Sequence, residues 1–264
     1  MSSLFSLNGR RALVTGANCG IGRALALGLA AHGADIIVHH FGDGEGAAAL
    51  RDEIVAQGRD AAVVEADFTQ AGAAEALAKE ALSRQGPVDI LIANAAIEHR
   101  KAWTEVTAAH IEAHVAANFA SLLALAQKLV PPMAERGWGR VVATGSVMAT
   151  RPRAETVVYA ALKSAQLTAV RAIAREVAGR GVTMNVISPG AIETERTAAR
   201  YADPAFRRAV VAKIPAGRAG RPEDLAGAAI LLCSDAGSYI TGADIPVNGG
   251  WTIGDAPGAL PEAA

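Results

Sequence analysis

Short β-branched runs alternate with longer Ala- and Leu-rich stretches along almost the whole chain. The runs fall at 12–15, 35–39, 61–65, 89–93, 140–144 and 183–187, with a weaker seventh at 244–247. Each is nearly continuously apolar, as in Asp89-Ile90-Leu91-Ile92-Ala93, which suits a parallel strand covered on both faces. Helical stretches fall between them, over 21–32, 45–57, 70–85, 104–117, 119–135, 156–179 and 222–233. This alternation predicts an α/β fold: a doubly wound Rossmann-type parallel sheet of about seven strands, with helices on both faces. No linker, low-complexity segment or internal repeat divides the chain, so residues 1–264 read as a single domain. The longest irregular stretch, 189–221, predicts a lid over a substrate, and the tail 255–264 reads as irregular.

Composition narrows the function classes. Hydrophobic residues make up 51% of the 264 but aromatics only 4%, so the core must be aliphatic. The 25 basic and 26 acidic side chains nearly cancel, and no basic stripe marks a nucleic-acid partner. Cys19 and Cys233 stand in no metal or redox spacing, as expected of free thiols in a reducing compartment. The start lacks a leader pattern, and no run of about 18 apolar residues suggests a membrane span. The expectation is a cytoplasmic protein.

Two constellations carry chemistry. The first strand runs straight into Thr15-Gly16-Ala17-Asn18-Cys19-Gly20-Ile21-Gly22, and a helix follows. Glycines let a backbone approach a pyrophosphate, and the helix N-terminus offers free N–H groups. An ordinary strand–helix turn is the bland alternative, and the placement argues against it. Further on, Tyr159 and Lys163 stand four residues apart, on one face of a helix, with Ser146 thirteen residues before the tyrosine. An ammonium so placed is expected to lower a phenol's pKa from ~10 and make it an acid/base. Taken singly, Ser146 is also a plausible strand-end cap, Asn118 a helix polar residue and Lys163 a solvated charge. His39, His40, His99, His110 and His114 lack the close spacing of metal ligands, so no metal is expected.

From about Leu7 to Trp251 the chain resembles the short-chain dehydrogenase/reductase family. The glycine loop, Asn118, Ser146, Tyr159 and Lys163 match the family's motifs, and Asn248-Gly249-Gly250 matches its closing turn. One motif departs: the family's Asn-Asn-Ala-Gly reads Ala93-Asn94-Ala95-Ala96 here, and Ala96 demands a backbone free of glycine-only angles. The resemblance implies an NAD(P)-dependent interconversion of a secondary alcohol and a carbonyl. It assigns Tyr159 as acid/base and Ser146 as the hydrogen-bond donor to the reacting oxygen. Lys163 would tune the tyrosine and bind ribose, and Asn118 would hold a relay water. The cofactor would lie against Gly16, Asn18, Cys19, Gly20, Ile21 and Gly22, then His40 and Phe41 after the second strand. Asp67 and Phe68 would face the adenine. Asn94, Ala95, Ala96, Tyr159, Lys163, Pro189, Gly190, Ile192 and Thr194 would face the ribose and nicotinamide.

The end of the second strand commonly decides between the nicotinamides. His40 and Phe41 are neither acidic nor guanidinium, which gives a slight preference for NAD; Asp43 is near enough to reach a ribose. Substrate contacts are expected from Ser146, Met148, Arg153, Tyr159 and Glu98, in loops that are polar rather than aromatic. They favour a small polar substrate such as a sugar, sugar acid or hydroxy acid. Alternatives are a 3-oxoacyl thioester reductase and, in another class, an inactive dinucleotide-binding sensor or scaffold. The resemblance also implies a homotetramer or dimer.

Overall fold

The computed structural model describes residues 4–253; the tail expected to be irregular lies outside them. Seven strands form one parallel sheet: β1 Arg11–Val14, β2 Asp35–His40, β3 Ala61–Glu65, β4 Ile90–Ala93, β5 Gly139–Thr144, β6 Val182–Pro189 and β7 Asp244–Val247. Their order is β3-β2-β1-β4-β5-β6-β7, so the winding reverses between β1 and β4. In such sheets ligands bind in the crevice beyond the strands' carboxyl ends, at that reversal.

The helices are α1 Gly20–Ala31, α2 Gly44–Ala56, α3 Ala73–Gln85, α4 Ala108–Val115, α5 Ser121–Glu135, α6 Val157–Val177, α7 Ala198–Tyr201, α8 Pro204–Val211 and α9 Ala226–Cys233. One aliphatic core joins the sheet to α3, α5 and α6, and a second joins it to α1, α2 and α9. Leu13 and Leu91 belong to the first, and Val14 and Ile92 to the second. Burial on both faces is what forces the apolar runs in the sequence. The 28-residue helical run Ala108–Glu135 is long and apolar enough to cross a membrane, yet more than half of its most apolar 18-residue stretch is packed inside the protein.

Two expectations need correction. The segment 189–221 is not irregular. It carries α7 and α8, and Tyr201, Val210 and Ile214 pack with Val147 and Trp251 in a third, small core. Asp203 caps α8 by accepting from Ala205 N at 2.8 Å, with Pro204 at the first helical position. The helices expected over 104–117 and 119–135 are instead one continuous helical run that begins only at Ala108. A π-turn at Ala116–Ala120 inserts an extra residue between α4 and α5 and contains Asn118.

Candidate active site

A cavity of about 820 Å³ runs along the carboxyl ends of the strands, from Gly16 to Trp251. Its floor at one end is the glycine loop. Gly16 and Gly20 adopt φ of 61° and 53°, in the left-handed region. A Cβ on Gly22 would lie 2.0 Å from the Gly16 carbonyl oxygen. Cys19, at the N-cap of α1, makes no side-chain cap, which leaves the first N–H groups of that helix facing the loop. The cradle therefore fits a dinucleotide pyrophosphate. Gly22→Ala is expected to weaken dinucleotide binding by on the order of 100-fold, since a clash that short must displace backbone. Titration of nicotinamide fluorescence measures this; retained affinity would show that the loop is not the cradle.

Three side chains hold the loop in place. Thr15 Oγ1 donates to Ile92 O at 3.3 Å and accepts from the N–H groups of Asn94 and Ala95, at 2.9 and 3.0 Å. Asn94 Nδ2 donates to the carbonyls of Thr15 and Gly16, and its Oδ1 accepts from Thr144 at 3.1 Å. His39 Nδ1 accepts from Gly16 N at 3.0 Å, which places the ring proton on Nε2, 3.1 Å from Ala66 O. Burial pushes the His39 pKa down to about 4, so the ring stays neutral and keeps its acceptor for the loop. It stacks on Phe68 at 4.4 Å. Ala96 meets its backbone condition, because no described non-glycine residue has a positive φ.

At the end of β2 the structure reverses one expectation. His39 and Phe41 line the cavity and His40 does not; His40 is buried on the α2 side, its Cε1 lying where a Cβ on Gly44 would come within 3.7 Å. Asp43 is likewise committed elsewhere. It caps α2 by accepting from Gly46 N at 3.0 Å and accepts from Asn18 Nδ2 at 2.9 Å. Cys19, Phe41, Asp67 and Phe68 do line this end.

The candidate proton-transfer group lies at the cavity's centre. Ser146 caps a short 3-10 turn, Val147–Ala149, and accepts from Met148 N at 3.1 Å. Tyr159, on α6, faces Ser146, whose hydroxyl favours the phenolate form. Lys163, one turn along, is buried and donates to Thr144 O at 2.6 Å. Its Nζ is 5.4 Å from the Tyr159 ring centre. The energetics differ from the expectation that lysine lowers the tyrosine's pKa. Burial, helped by Glu98, pushes Tyr159 up to about 12 against the opposing Ser146 hydroxyl, and burial pulls Lys163 down to about 8. Desolvation disfavours both charged forms and outweighs their mutual influence here. Tyr159 is thus a proton donor at neutral pH in the ligand-free protein.

Asn118 Oδ1 accepts from Ile97 N at 2.8 Å and its Nδ2 donates to Ile97 O at 2.9 Å, so the side chain clamps the segment after β4. On the nicotinamide side, Pro189, Gly190, Ile192 and Thr194 line the cavity as expected, with the Thr194 methyl 3.3 Å from the position of a Cβ on Gly20. Glu98, Met148 and Arg153, the expected substrate contacts, line the same cavity, as does Arg196 of the polar 189–221 segment. Arg200, Tyr201, Phe206 and Trp251 line it too and were not among the expected contacts. The length of 189–221 already gave the expectation of a lid, and the Asp203-Pro204 helix start is the local mark of a helix within it. Among the histidines, His114 spends both ring nitrogens on main chain, at His99 N and His110 O.

Comparison with known proteins agrees with this arrangement. A family model described as enoyl-(acyl carrier protein) reductase matches residues 16–252. A 2-dehydro-3-deoxy-D-gluconate 5-dehydrogenase from Pseudoalteromonas atlantica is 36% identical over 95% of this chain and 99% of its own. A 3-oxoacyl (acyl-carrier-protein) reductase from Agrobacterium tumefaciens, solved with NADP bound, superposes with a TM-score of 0.90 at 39% identity, covering 94% of this chain and 96% of its own. A gluconate 5-dehydrogenase from Burkholderia cenocepacia, solved with NADP and tartrate, gives 0.88 at 33% identity, covering 95% and 98%. The chain belongs to the short-chain dehydrogenase/reductase family. It is an NAD(P)-dependent oxidoreductase of CH–OH and C=O groups.

Proposed function

We propose that this enzyme interconverts a small hydroxy acid, of the sugar-acid type, and its keto form. The observation that carries the reading is charge at the substrate end. Arg100, Arg153, Arg196 and Arg200 line the cavity there against a single carboxylate, Glu98. Glu98 is itself taken by Arg100 at 2.9 Å. Arg153 is 3.9 Å from Glu155, and Arg200 rests over the Phe206 ring at 4.6 Å. Arg196 and Arg200 have no ion pair among the described residues, and two such guanidiniums beside a proton-transfer group favour a carboxylate-bearing substrate. The gluconate-type relatives support the same class.

In this reading Tyr159 transfers the proton to or from the substrate oxygen. Ser146 donates a hydrogen bond to that oxygen as charge develops on it. Lys163 keeps a positive charge beside the phenol and Asn118 positions the segment after β4. The nicotinamide, when bound, supplies or accepts the hydride. Gly16, Cys19, Gly20, Ile21 and Gly22 would hold its pyrophosphate, and Phe41, Asp67 and Phe68 its adenosine half. Neither His40 nor Phe41 at the end of β2 is a guanidinium, which favours NAD, whereas the solved relatives that carry NADP favour the other nicotinamide. Trp103, Ile111, Val115 and Val157 are exposed apolar side chains on neighbouring elements, a surface suited to the homotetramer we propose.

A second reading, reduction of a 3-oxoacyl thioester, draws on the apolar side of the same cavity, where Met148, Tyr201, Phe206 and Val210 lie. One screen separates the two: cofactor oxidation or reduction, with NAD and NADP in parallel, against aldonic and hydroxy acids, neutral sugars and acyl thioesters. Acids are expected to lead. Arg153→Met should then raise KM for acids about tenfold or more, the worth of one charge-assisted hydrogen bond, and leave neutral sugars unchanged. Turnover of thioesters with none of acids would transfer the assignment to the second reading.

A further inference from the structure

A second cavity, of about 600 Å³, lies outside the active site and is lined by α8 and the segment 217–221. It carries four guanidiniums, of Arg207, Arg208, Arg218 and Arg221, against one carboxylate, that of Glu193. Arg207 takes Glu193 in a bidentate pair, at 2.6 and 3.0 Å. Arg218 makes a second bidentate pair with Asp224, at 2.6 and 2.8 Å, and Asp224 also accepts from Arg221 N at 2.7 Å. The side chains of Arg208 and Arg221 have no ion pair among the described residues. Like charges gathered around a concavity raise its potential and draw an anion into it. The planar guanidinium fork suits the paired oxygens of carboxylate and phosphate.

The helix α8 is shared by the two cavities. Phe206 and Val210, four residues apart on one face, line the active-site cavity, while Arg207, Arg208 and Val211 line the other. Arg207 also donates to Tyr201 O at 3.0 Å, and Tyr201 lines the active-site cavity. Glu193 N donates to Gly220 O at 2.8 Å, which joins the nicotinamide-side segment to 217–221. We infer that the second cavity is a binding site for a small dianion, a phosphate ester or a dicarboxylate, held by Arg208 of α8 and Arg221 of the segment before α9. Its occupant ties α8 to that segment and so steadies the wall of the active site. The inference is independent of which substrate the enzyme takes.

Titration calorimetry on the full chain tests it, with inorganic phosphate and with succinate in separate arms, at constant ionic strength made up with chloride. Saturable binding of at least one is expected, with a Kd below about 1 mM. The tighter of the two tells a phosphate ester from a dicarboxylate. A double variant carrying Arg208→Gln and Arg221→Gln alters two exposed side chains and should fold as the parent does. It should bind the anion about tenfold more weakly or worse, since each charge-assisted hydrogen bond is worth about that much. Kinetics on the best substrate of the screen test the coupling through α8. At saturating anion, KM should be about fivefold lower in the parent than in the double variant, and equal in the two without anion. Comparing both proteins at one anion concentration cancels competition at the active site. Absence of saturable binding would leave the four arginines as solvated surface charges and overturn the inference. Binding that persists unchanged in the double variant would place the anion on the active-site guanidiniums and overturn it equally. Equal KM values at saturating anion would remove the coupling.

Discussion

Tyr159→Phe is expected to lose turnover by about 10³-fold or more while the dinucleotide Kd stays within a few-fold, general acid/base catalysis being worth about 10²–10⁴. The substitution removes one hydroxyl from a half-buried ring and leaves its packing intact. Ser146 still caps the turn by accepting from Met148 N, so the serine stays in place. With the phenol pushed up to about 12 by burial, the parent enzyme keeps its proton across the neutral range and can give it to a carbonyl oxygen. Oxidation of an alcohol instead needs the phenolate, so its rate should rise with pH more steeply than that of reduction. Stopped-flow absorbance of the reduced nicotinamide measures both directions. Turnover surviving in Tyr159→Phe would remove the tyrosine from the mechanism. Dinucleotide binding without turnover in the parent protein, across the whole substrate panel, would install the sensor reading.

The strands, the glycine loop and the four candidate proton-transfer residues were legible because each leaves a local mark. Strands buried on both faces must be apolar throughout, and a loop whose Gly22 has no room for a Cβ must be glycine. The same two-sided burial erases other information. Residues Ile36 to His40 are all buried, so no polar alternation tells which histidine faces the cavity, and it is His39 that lines it. The π-turn shifts the phase of the helical pattern, which is why the expected helices over 104–117 and 119–135 part at Asn118, but a phase shift does not tell a continuous π-turn from a gap. The tuning of Tyr159 by Lys163 was inferred from spacing. Spacing carries the Coulomb attraction but not the desolvation that opposes it, and desolvation depends on everything packed around α6. The charged substrate end was half legible: Glu98 and Arg153 flank recognisable motifs, whereas Arg196 and Arg200 reach the cavity only because α7 and α8 fold back over it.

Lys163→Met should abolish turnover, by about 10³-fold, and simultaneously remove a pH dependence from the stability of the ligand-free protein. The side chain is 2% exposed, and burial lowers its pKa from 10.5 to about 8. Between those values the unfolded chain binds the proton and the folded one does not, so stability rises with pH across that window and the full penalty applies below pH 8. A shift of that size corresponds to about 3 kcal/mol at neutral pH, of which about 2 kcal/mol should return by pH 9.5. Tyr159 contributes with the opposite sign but only above pH 10, where a raised phenol pKa makes stability fall with pH. Urea unfolding of both proteins at pH 7 and pH 9.5 isolates the lysine, because all other groups cancel in the difference. The variant also leaves Thr144 O without its donor, a loss of about 1–3 kcal/mol that is the same at both pH values. The absolute stability of the variant is therefore a balance of two terms, and its pH slope reports one. Parallel slopes in the two proteins would mean that Lys163 stays fully charged and solvated, and the argument that burial sets the chemistry of the pair would fail with it.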